Sequence, residues 1–196
     1  MENQELNQSY WSNRWAEKET GWDAGKITTP IKEYVDQIED KDAKILIPGC
    51  GSAHEATYLH EQGFKNVYIC DWAEAPLLDF AAKIPDFPKE HLLHSDFFKL
   101  EEHDFDYIIE QTFFCALPPN LRQAYATKTS AMLKKGGKLS GLLFSFPLTT
   151  EGPPFGGSKA EYLTYFQAQF SKIQMEPCYN SIKPRAGAEL FVIMEK

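Results

Sequence analysis

Several signatures of large protein classes are missing from this chain of 196 residues. No apolar run approaches the about 20 residues that cross a bilayer, and the first residues are polar and acidic, unlike a secretory signal. With 43% hydrophobic and 14% aromatic residues, the composition is typical of a globular protein. We therefore expect a single domain over residues 1–196, in the cytoplasm and without membrane contact.

Cysteines are few, and they form no recognisable pattern. The five histidines show no metal-ligand spacing with one another or with cysteine. The sequence therefore predicts neither a disulfide framework nor a metal site. The four scattered cysteines, none of them in a CxxC motif, are Cys50, Cys70, Cys115 and Cys178.

Positive charge is also in short supply. The chain has 20 Lys and Arg against 28 Asp and Glu, a formal net charge of −8, and no basic cluster larger than Lys134-Lys135. A nucleic-acid-binding protein needs a positive patch to neutralise phosphates. The sequence therefore favours a small-molecule partner over nucleic acid, and it leaves the oligomeric state open.

What the chain does contain is a nucleoside-binding pattern. An apolar run breaks into a glycine turn at residues 45–51, ILIPGCG, and a second run at 67–70 ends in Asp71. Gly49 and Gly51 let the backbone approach a ligand at the carboxyl end of the first strand. An acid that ends the second strand accepts hydrogen bonds from both ribose hydroxyls. A plain strand-to-helix connection is the alternative interpretation.

One part of the dinucleotide fingerprint is absent from this turn. A third glycine normally brings the helix against the pyrophosphate, but here the turn continues as residues 52–55, SAHE. Glu55, close to a helix N-terminus, would repel a phosphate. A cofactor with a ribose and an α-amino group but no phosphate fits better, and S-adenosylmethionine is such a cofactor. A nicotinamide-dependent reductase, which needs the missing glycine, stays as an alternative.

Strands and helices alternate along the chain. The patterns predict strands at 44–48, 66–71, 91–95, 105–111 and 139–146, and helices at 29–38, 53–62, 74–84 and 119–135. Gly136 and Gly137 are expected to end the last helix, and two strands at 170–179 and 189–195 are expected to form an antiparallel pair. This order predicts an α/β fold with a doubly wound, mostly parallel seven-stranded sheet. The ligand then binds at the carboxyl ends of the strands.

Two further strand ends carry candidate cofactor contacts. Asp96 is placed to accept a hydrogen bond from the adenine amine, and the ring of Phe97 to stack on the base. An ordinary strand-ending acid is the alternative. Gln111 ends the fourth strand, where the amino-acid part of the cofactor would lie, and solvation of a strand end is again the alternative.

Three tryptophans fall within an otherwise polar segment, residues 1–26. Trp11 and Trp15 are one helical turn apart, and Trp22 follows. One interpretation is an apolar stripe that docks a helix on the core. The other is an N-terminal lid over residues 1–26, whose rings attract a cationic sulfonium and exclude water.

The acceptor end of the site is expected in the second half of the chain. Phe113 and Phe114 lie at a strand end, and Phe155 lies in the loop 152–157, GPPFGG. We predict that these three rings form the substrate pocket, although most loops of this kind only connect elements.

Arg122 is the candidate catalytic residue. It lies in the first turn of a predicted helix, where the dipole is unfavourable for a cation, so its position favours an anionic partner. Candidate partners are Glu110, a substrate carboxylate and a halide ion. A solvated surface arginine is the alternative.

Taken together, these motifs resemble the thiopurine S-methyltransferase family of class I S-adenosylmethionine-dependent methyltransferases, and within it the thiol and halide methyltransferase branch. The resemblance covers nearly the whole chain and implies a Rossmann-like fold. It rests on the motifs Trp11-x-x-x-Trp15, Gly21-Trp22-Asp23-x-Gly25, Thr29-Pro30, residues 47–51, Asp71, Asp96-Phe97, residues 113–116 and residues 152–155. The resemblance implies cofactor contacts at Trp11, Trp15, Trp22, Gly49, Asp71, Asp96, Phe97 and Gln111.

Two positions depart from the family pattern. Halide-type relatives usually have a further glycine where this chain has residues 52–54, and some relatives carry tyrosine at Gln111. Arg122 matches a family arginine near the acceptor.

The sequence therefore predicts methyl transfer from S-adenosylmethionine to a small thiol, bisulfide or halide. A strong general base is not needed, because a thiol loses its proton easily and a halide has none to lose. The alternatives are a thiopurine-type or other small-molecule S- or N-methyltransferase, the nicotinamide-dependent reductase, and a non-catalytic protein that binds S-adenosylmethionine.

Overall fold

A seven-stranded sheet runs through the computed structural model, which describes residues 6–196. The spatial order of the strands is β3-β2-β1-β4-β5-β7-β6, with β1 to β5 parallel and β7 antiparallel to both β5 and β6. This confirms the predicted fold class. The strands are β1 (Lys44–Pro48), β2 (Asn66–Asp71), β3 (Leu92–His94), β4 (Phe105–Gln111), β5 (Leu133–Phe144), β6 (Lys172–Pro177) and β7 (Glu189–Glu195).

Helices fill the connections between the strands. Local signals explain several of their ends: Asn7 caps the first helix by accepting from the Tyr10 N–H, Ser158 caps the last through the Glu161 N–H, and Pro30 lies in a first turn. The helices are α1 (Gln8–Ala16), α2 (Thr29–Val35), α3 (His54–Glu61), α4 (Glu74–Lys83), α5 (Arg122–Met132) and α6 (Lys159–Phe166).

Two hydrophobic clusters cover the two faces of the sheet. One contains buried side chains of α2, α3 and α4, and the other contains those of α5 and α6. Central strands buried on both sides need near-continuous apolar sequence, and β1 is buried from Ile45 to Pro48. Strand order reverses between β1 and β4, so the fold places a crevice above their carboxyl ends.

The predicted helix 119–135 is wrong at both ends. A 3-10 turn occupies Pro119–Leu121, α5 ends at Met132, and β5 begins at once with Leu133. Leu133 pairs with Phe105, and the strand continues through the two glycines that were expected to end the helix. Gly136 has a φ of +77°, and a Cβ at Gly137 would lie 2.7 Å from the Phe105 carbonyl oxygen. The glycines therefore allow a bulged strand to approach β4 closely.

One helix was not predicted. Helix α6 follows the loop after β5 and buries Tyr162 and Phe166. Strand β6 is also shorter than the expected 170–179, because Phe170 and Tyr179 lie outside the pairing with β7.

Candidate active site

A cavity of about 610 Å³ opens above the carboxyl ends of the parallel strands. A smaller polar pocket of about 40 Å³ adjoins it beside the glycine turn. Nine of the predicted site residues line the larger cavity: Trp11, Trp15, Trp22, Gly49, Gly51, Asp71, Asp96, Phe97 and Phe113. Residues from five separate segments thus converge on one site.

The glycine turn allows a close approach between backbone and ligand. Gly49 and Gly51 have φ values of +56° and +51°, which other residues rarely adopt. A Cβ at Gly49 would collide with the ring of Phe113. Glycine is therefore needed at position 49 both for conformation and for space.

Asp71 is held rigidly beside this turn. Its Oδ2 accepts from the Gly51 N–H at 3.0 Å and its Oδ1 from the Ala73 N–H at 2.9 Å. Burial raises the pKa of Asp71, and these two backbone hydrogen bonds oppose the rise. Each carboxylate oxygen has two acceptor sites, so Asp71 keeps acceptor capacity towards the cavity.

Asp96 and Phe97 are also shaped by local contacts. Asp96 Oδ1 accepts from the Phe98 N–H at 3.0 Å and caps a 3-10 turn. This cap involves only one of the two carboxylate oxygens of Asp96. Phe97 packs at ring-centroid distances of 5.3 Å from Phe113 and 5.4 Å from Tyr125. The ring is therefore largely buried, with part of its surface in the cavity wall.

The three tryptophans form one aromatic cluster over the cavity. The Trp22 ring lies 5.7 Å from that of Trp11 and 6.1 Å from that of Trp15, both edge to face. None of the residues of α1, all of them in the described part of the chain, is fully buried. Residues 1–5 of the predicted lid lie outside the described residues.

Gln111 lines the smaller pocket rather than the main cavity. Its Oε1 accepts from Thr28 Oγ1 at 3.0 Å, whereas its buried Nε2 has no hydrogen-bond partner within residues 6–196. An unpaired buried donor costs free energy until a ligand satisfies it. The carboxylate of an amino-acid group would do so, and therefore the pocket fits that end of S-adenosylmethionine.

Glu110 shapes the turn that carries Phe113. It is fully buried, and its Oε1 accepts from the Phe113 and Phe114 N–H groups at 2.8 Å each. Its Oε2 accepts from the Tyr125 hydroxyl at 2.6 Å. Burial raises the pKa of Glu110 to about 7. These contacts show that Glu110 does not pair with Arg122, which was one of the predicted partners.

The structure does not bring Arg122 to the cavity. Its guanidinium is completely buried, with Nη1 donating to Glu161 Oε1 at 3.0 Å. Its Nη2 donates to the carbonyl oxygens of Phe155 at 3.2 Å and Gly156 at 2.9 Å. The unfavourable helix end is therefore compensated by an acid on α6 and by loop carbonyls. Phe114 and Phe155 are likewise buried in the protein and are not among the cavity-lining residues.

Arg185, which the sequence analysis missed, lines both the cavity and the smaller pocket. Its Nη2 donates to the Trp22 carbonyl oxygen at 2.6 Å, and its guanidinium carbon lies 5.9 Å from the centre of the Phe144 ring. Its buried Nη1 is 3.7 Å from Glu189 Oε1 and has no hydrogen-bond partner in the described chain. Arg185 lies in the loop between β6 and β7, and no strand-end or helix signal marks it.

Other kinds of site find no support within residues 6–196. No group of three or more His, Cys, Asp or Glu is placed to hold a metal ion there, and none of the helices there could cross a bilayer. The four cysteines are free and buried.

Known proteins with similar sequences are methyltransferases. A probable thiol methyltransferase 2 from Arabidopsis thaliana is 29% identical over 184 residues, covering 91% of this chain and 81% of the relative. Thiocyanate methyltransferase 1 from the same plant is 27% identical with the same coverage. A thiopurine S-methyltransferase from Photobacterium profundum is 23% identical over 76% of this chain and 78% of its own.

Solved structures show the same fold at lower identity. A 1,6-didemethyltoxoflavin-N1-methyltransferase from Burkholderia thailandensis, solved with bound 1,6-didemethyltoxoflavin and S-adenosylhomocysteine, superposes with a TM-score of 0.73 at 18% identity, covering 96% of this chain and 86% of its own. A TehB-like S-adenosylmethionine-dependent methyltransferase from Corynebacterium glutamicum gives 0.65 at 19% identity, covering 96% and 97%.

A family model for thiopurine S-methyltransferase matches residues 6–193, nearly the entire chain. Together with the sheet order and the glycine turn, this match confirms the predicted family and cofactor. The chain belongs to the thiopurine S-methyltransferase family of S-adenosylmethionine-dependent methyltransferases.

Proposed function

We propose that this methyltransferase acts on a small, soft, anionic or thiol acceptor, such as a thiolate, bisulfide, thiocyanate or halide. The observation that carries the proposal is the position of Arg185 at a largely apolar cavity wall, with a buried Nη1 that makes no hydrogen bond and lies 3.7 Å from its acidic neighbour Glu189. The names of the thiol and thiocyanate methyltransferase relatives agree with it.

The cofactor end of the cavity is assigned to the residues predicted from sequence. In this proposal Asp71 accepts from the ribose hydroxyls, Asp96 accepts from the adenine amine and Phe97 contacts the base. Gln111 Nε2 donates to the α-carboxylate, because that buried donor otherwise lacks a partner. Gly49 and Gly51 supply the close backbone approach, and the tryptophan cluster covers the site as a lid.

The set of residues assigned to the acceptor end shares only Phe113 with the predicted pocket. Phe113, Phe144 and Leu117 present apolar surface to the cavity, so an anion bound there loses water and becomes more nucleophilic. Arg14, the other arginine of the wall, is held by Glu19 at 2.9 Å, whereas Arg185 Nη1 lies 3.7 Å from Glu189 Oε1, beyond hydrogen-bond distance. Because its ion pair is looser, Arg185 is the favoured cation for attracting and orienting the acceptor.

Positioning is the main task of these residues. When bound, S-adenosylmethionine supplies an electrophilic methyl group on a sulfonium, so an in-line nucleophile needs little further activation. No histidine lines the cavity within the described residues. Burial raises the pKa of Cys70 and Cys115, which keeps both thiols protonated and poorly nucleophilic. Residues of the chain thus hold and desolvate the acceptor rather than react with it.

We also propose that the protein acts in the cytoplasm and that its partner is a small molecule rather than nucleic acid. Four free, buried cysteines suit a reducing cytoplasm, and the acidic net charge disfavours nucleic acid.

An acceptor screen tests the proposal. Purified protein is incubated with methyl-labelled cofactor and iodide, bisulfide, thiocyanate, a thiopurine and an aromatic amine, as wild type, Arg185→Met and Lys183→Met. We expect methylation of the anions, with kcat/KM lowered about tenfold to a hundredfold in Arg185→Met, the range for a lost charged hydrogen bond. Lys183 is in the same loop but does not line the cavity, so its variant serves as the control.

The results separate the proposal from its alternatives. Activity on the amine alone would overturn the acceptor class, and equal kcat/KM in Arg185→Met and wild type would remove Arg185 from the site. Cofactor binding without turnover of any acceptor would favour a non-catalytic protein.

A further inference from the structure

Asp23 joins two distant segments at the edge of the site. Its Oδ2 accepts from Ser52 Oγ at 2.5 Å, and its Oδ1 lies 2.7 Å from His54 Nε2. The same Oδ1 accepts from the Gly25 N–H at 2.6 Å. One carboxylate therefore connects the segment after α1 to the turn that leads into α3.

The two segments joined by Asp23 both border the cofactor end of the cavity. Trp22 directly precedes Asp23 and lines the cavity, while Ser52 directly follows Gly51. A Cβ at Gly51 would lie 3.5 Å from Trp15 Cζ2 and 3.7 Å from Trp22 Nε1, so both indoles lie over the glycine turn. Because Trp22 directly precedes Asp23, displacing Asp23 would displace the Trp22 indole from the turn.

The N-terminal segment is held partly by polar contacts, and none of residues 7–26 is fully buried. No residue of α1 is fully buried, as described above, and Gln8 Nε2 donates to the Trp72 carbonyl oxygen at 3.1 Å. Arg185 holds the Trp22 carbonyl oxygen. The hydrogen bonds of Asp23 are further polar contacts of this segment. Burial alone would raise the pKa of Asp23, but the hydrogen bonds from Ser52, Gly25 and His54 outweigh it and lower the pKa.

We propose that Asp23 is a positioning residue that latches the N-terminal segment, residues 7–26, to the glycine turn and so holds Trp22 over bound S-adenosylmethionine. The proposal rests on the proposed function of the cavity. In this proposal Asp23 keeps Trp22 in place, and Trp22 in turn slows the release of the cofactor and of its demethylated product.

Two variants remove the latch from opposite sides. Asp23→Ala removes all three contacts, and Ser52→Ala removes one contact without changing the N-terminal segment. Asp86→Ala is the matched control, because Asp86 also pairs with a histidine, His60, at 3.2 Å but is exposed and does not line the cavity. Melting temperatures confirm that each variant is folded.

Calorimetry and stopped-flow fluorescence of the tryptophans give the affinity and release rate of S-adenosylhomocysteine. We expect Asp23→Ala to bind about tenfold or more weakly, through faster release, as for the loss of charged hydrogen bonds. Ser52→Ala should show a smaller loss of the same kind. The double variant should bind no more weakly than Asp23→Ala, because both changes break the same contact.

Limited trypsin digestion after Lys18 and Lys26 provides an independent readout. S-adenosylhomocysteine should slow cleavage in wild type and Asp86→Ala, and it should slow it much less in Asp23→Ala. Wild-type affinity and protection in both latch variants would overturn the latch. Failure of the wild-type protein to bind the product would instead refute the proposed function.

Discussion

Replacing Glu110 should reveal how strongly one buried carboxylate shapes the active-site turn. Glu110→Ala leaves the N–H groups of Phe113 and Phe114 and the Tyr125 hydroxyl without their acceptor. Each unpaired buried donor costs about 1 to 3 kcal/mol, so the free energy of unfolding should fall by about 3 kcal/mol or more. Glu110→Gln keeps an oxygen for both backbone donors, and its loss should be about 1 kcal/mol.

The pH dependence of stability gives a sharper form of this prediction. The pKa of Glu110 is raised from 4.5 to about 7, mainly by burial, so the folded protein binds this proton more tightly than the unfolded chain. Its stabilising contribution is complete below pH 4.5 and is lost as the pH rises through 7, at about 1.4 kcal/mol for each pKa unit. The free energy of unfolding should therefore fall by about 3 kcal/mol in total as Glu110 loses its proton.

Urea unfolding from pH 4.5 to 8 measures this effect as the difference between wild type and Glu110→Gln. Subtracting the variant removes the contributions of other titrating groups. Glu176→Ala, which removes an exposed acid paired with Lys159, should change stability by less than about 1 kcal/mol at every pH and serves as the control. A difference between wild type and Glu110→Gln that does not change with pH would refute the reasoning.

Two further changes test the cofactor site and the buried support around Arg122. Asp71→Ala should weaken binding of S-adenosylmethionine by about 1 to 3 kcal/mol in calorimetry, because two ribose hydroxyls lose their acceptor, and equal affinity would show that Asp71 only ends a strand. Arg122→Met should lower the free energy of unfolding by about 2 to 3 kcal/mol, because the carbonyl oxygens of Phe155 and Gly156 and the half-buried Glu161 lose their donor. Selective loss of acceptor affinity in that variant at wild-type stability would instead place Arg122 against the acceptor.

Local sequence patterns were enough to predict several strands and the glycine turn. The strand bounds of β1, β2 and β4 were predicted without error, because each of these central parallel strands contains an apolar run, at residues 45–47, 67–70 and 107–109. The glycine turn was equally clear, since positive φ angles and close ring contact at Gly49 leave little choice of residue. Helix and strand ends that depend on distant pairing were less clear: β5 begins at Leu133 because Phe105 lies opposite it.

Most residues predicted to bind the cofactor line one cavity, whereas Arg122 and two of the three predicted pocket rings do not, and one physical reason explains the difference. Gly49 and Asp71 lie at strand ends, and parallel strands bring their carboxyl ends to one edge of the sheet whatever the conformation of the loops. The role of a charged side chain in a loop depends on partners far away in the chain. Arg122 forms an ion pair with Glu161, whereas Arg185 donates a hydrogen bond to the carbonyl oxygen of Trp22, which is 163 positions away in the sequence. Only the tertiary structure decides which arginine is buried as a support and which faces the cavity, because only folding brings each cation to its partners.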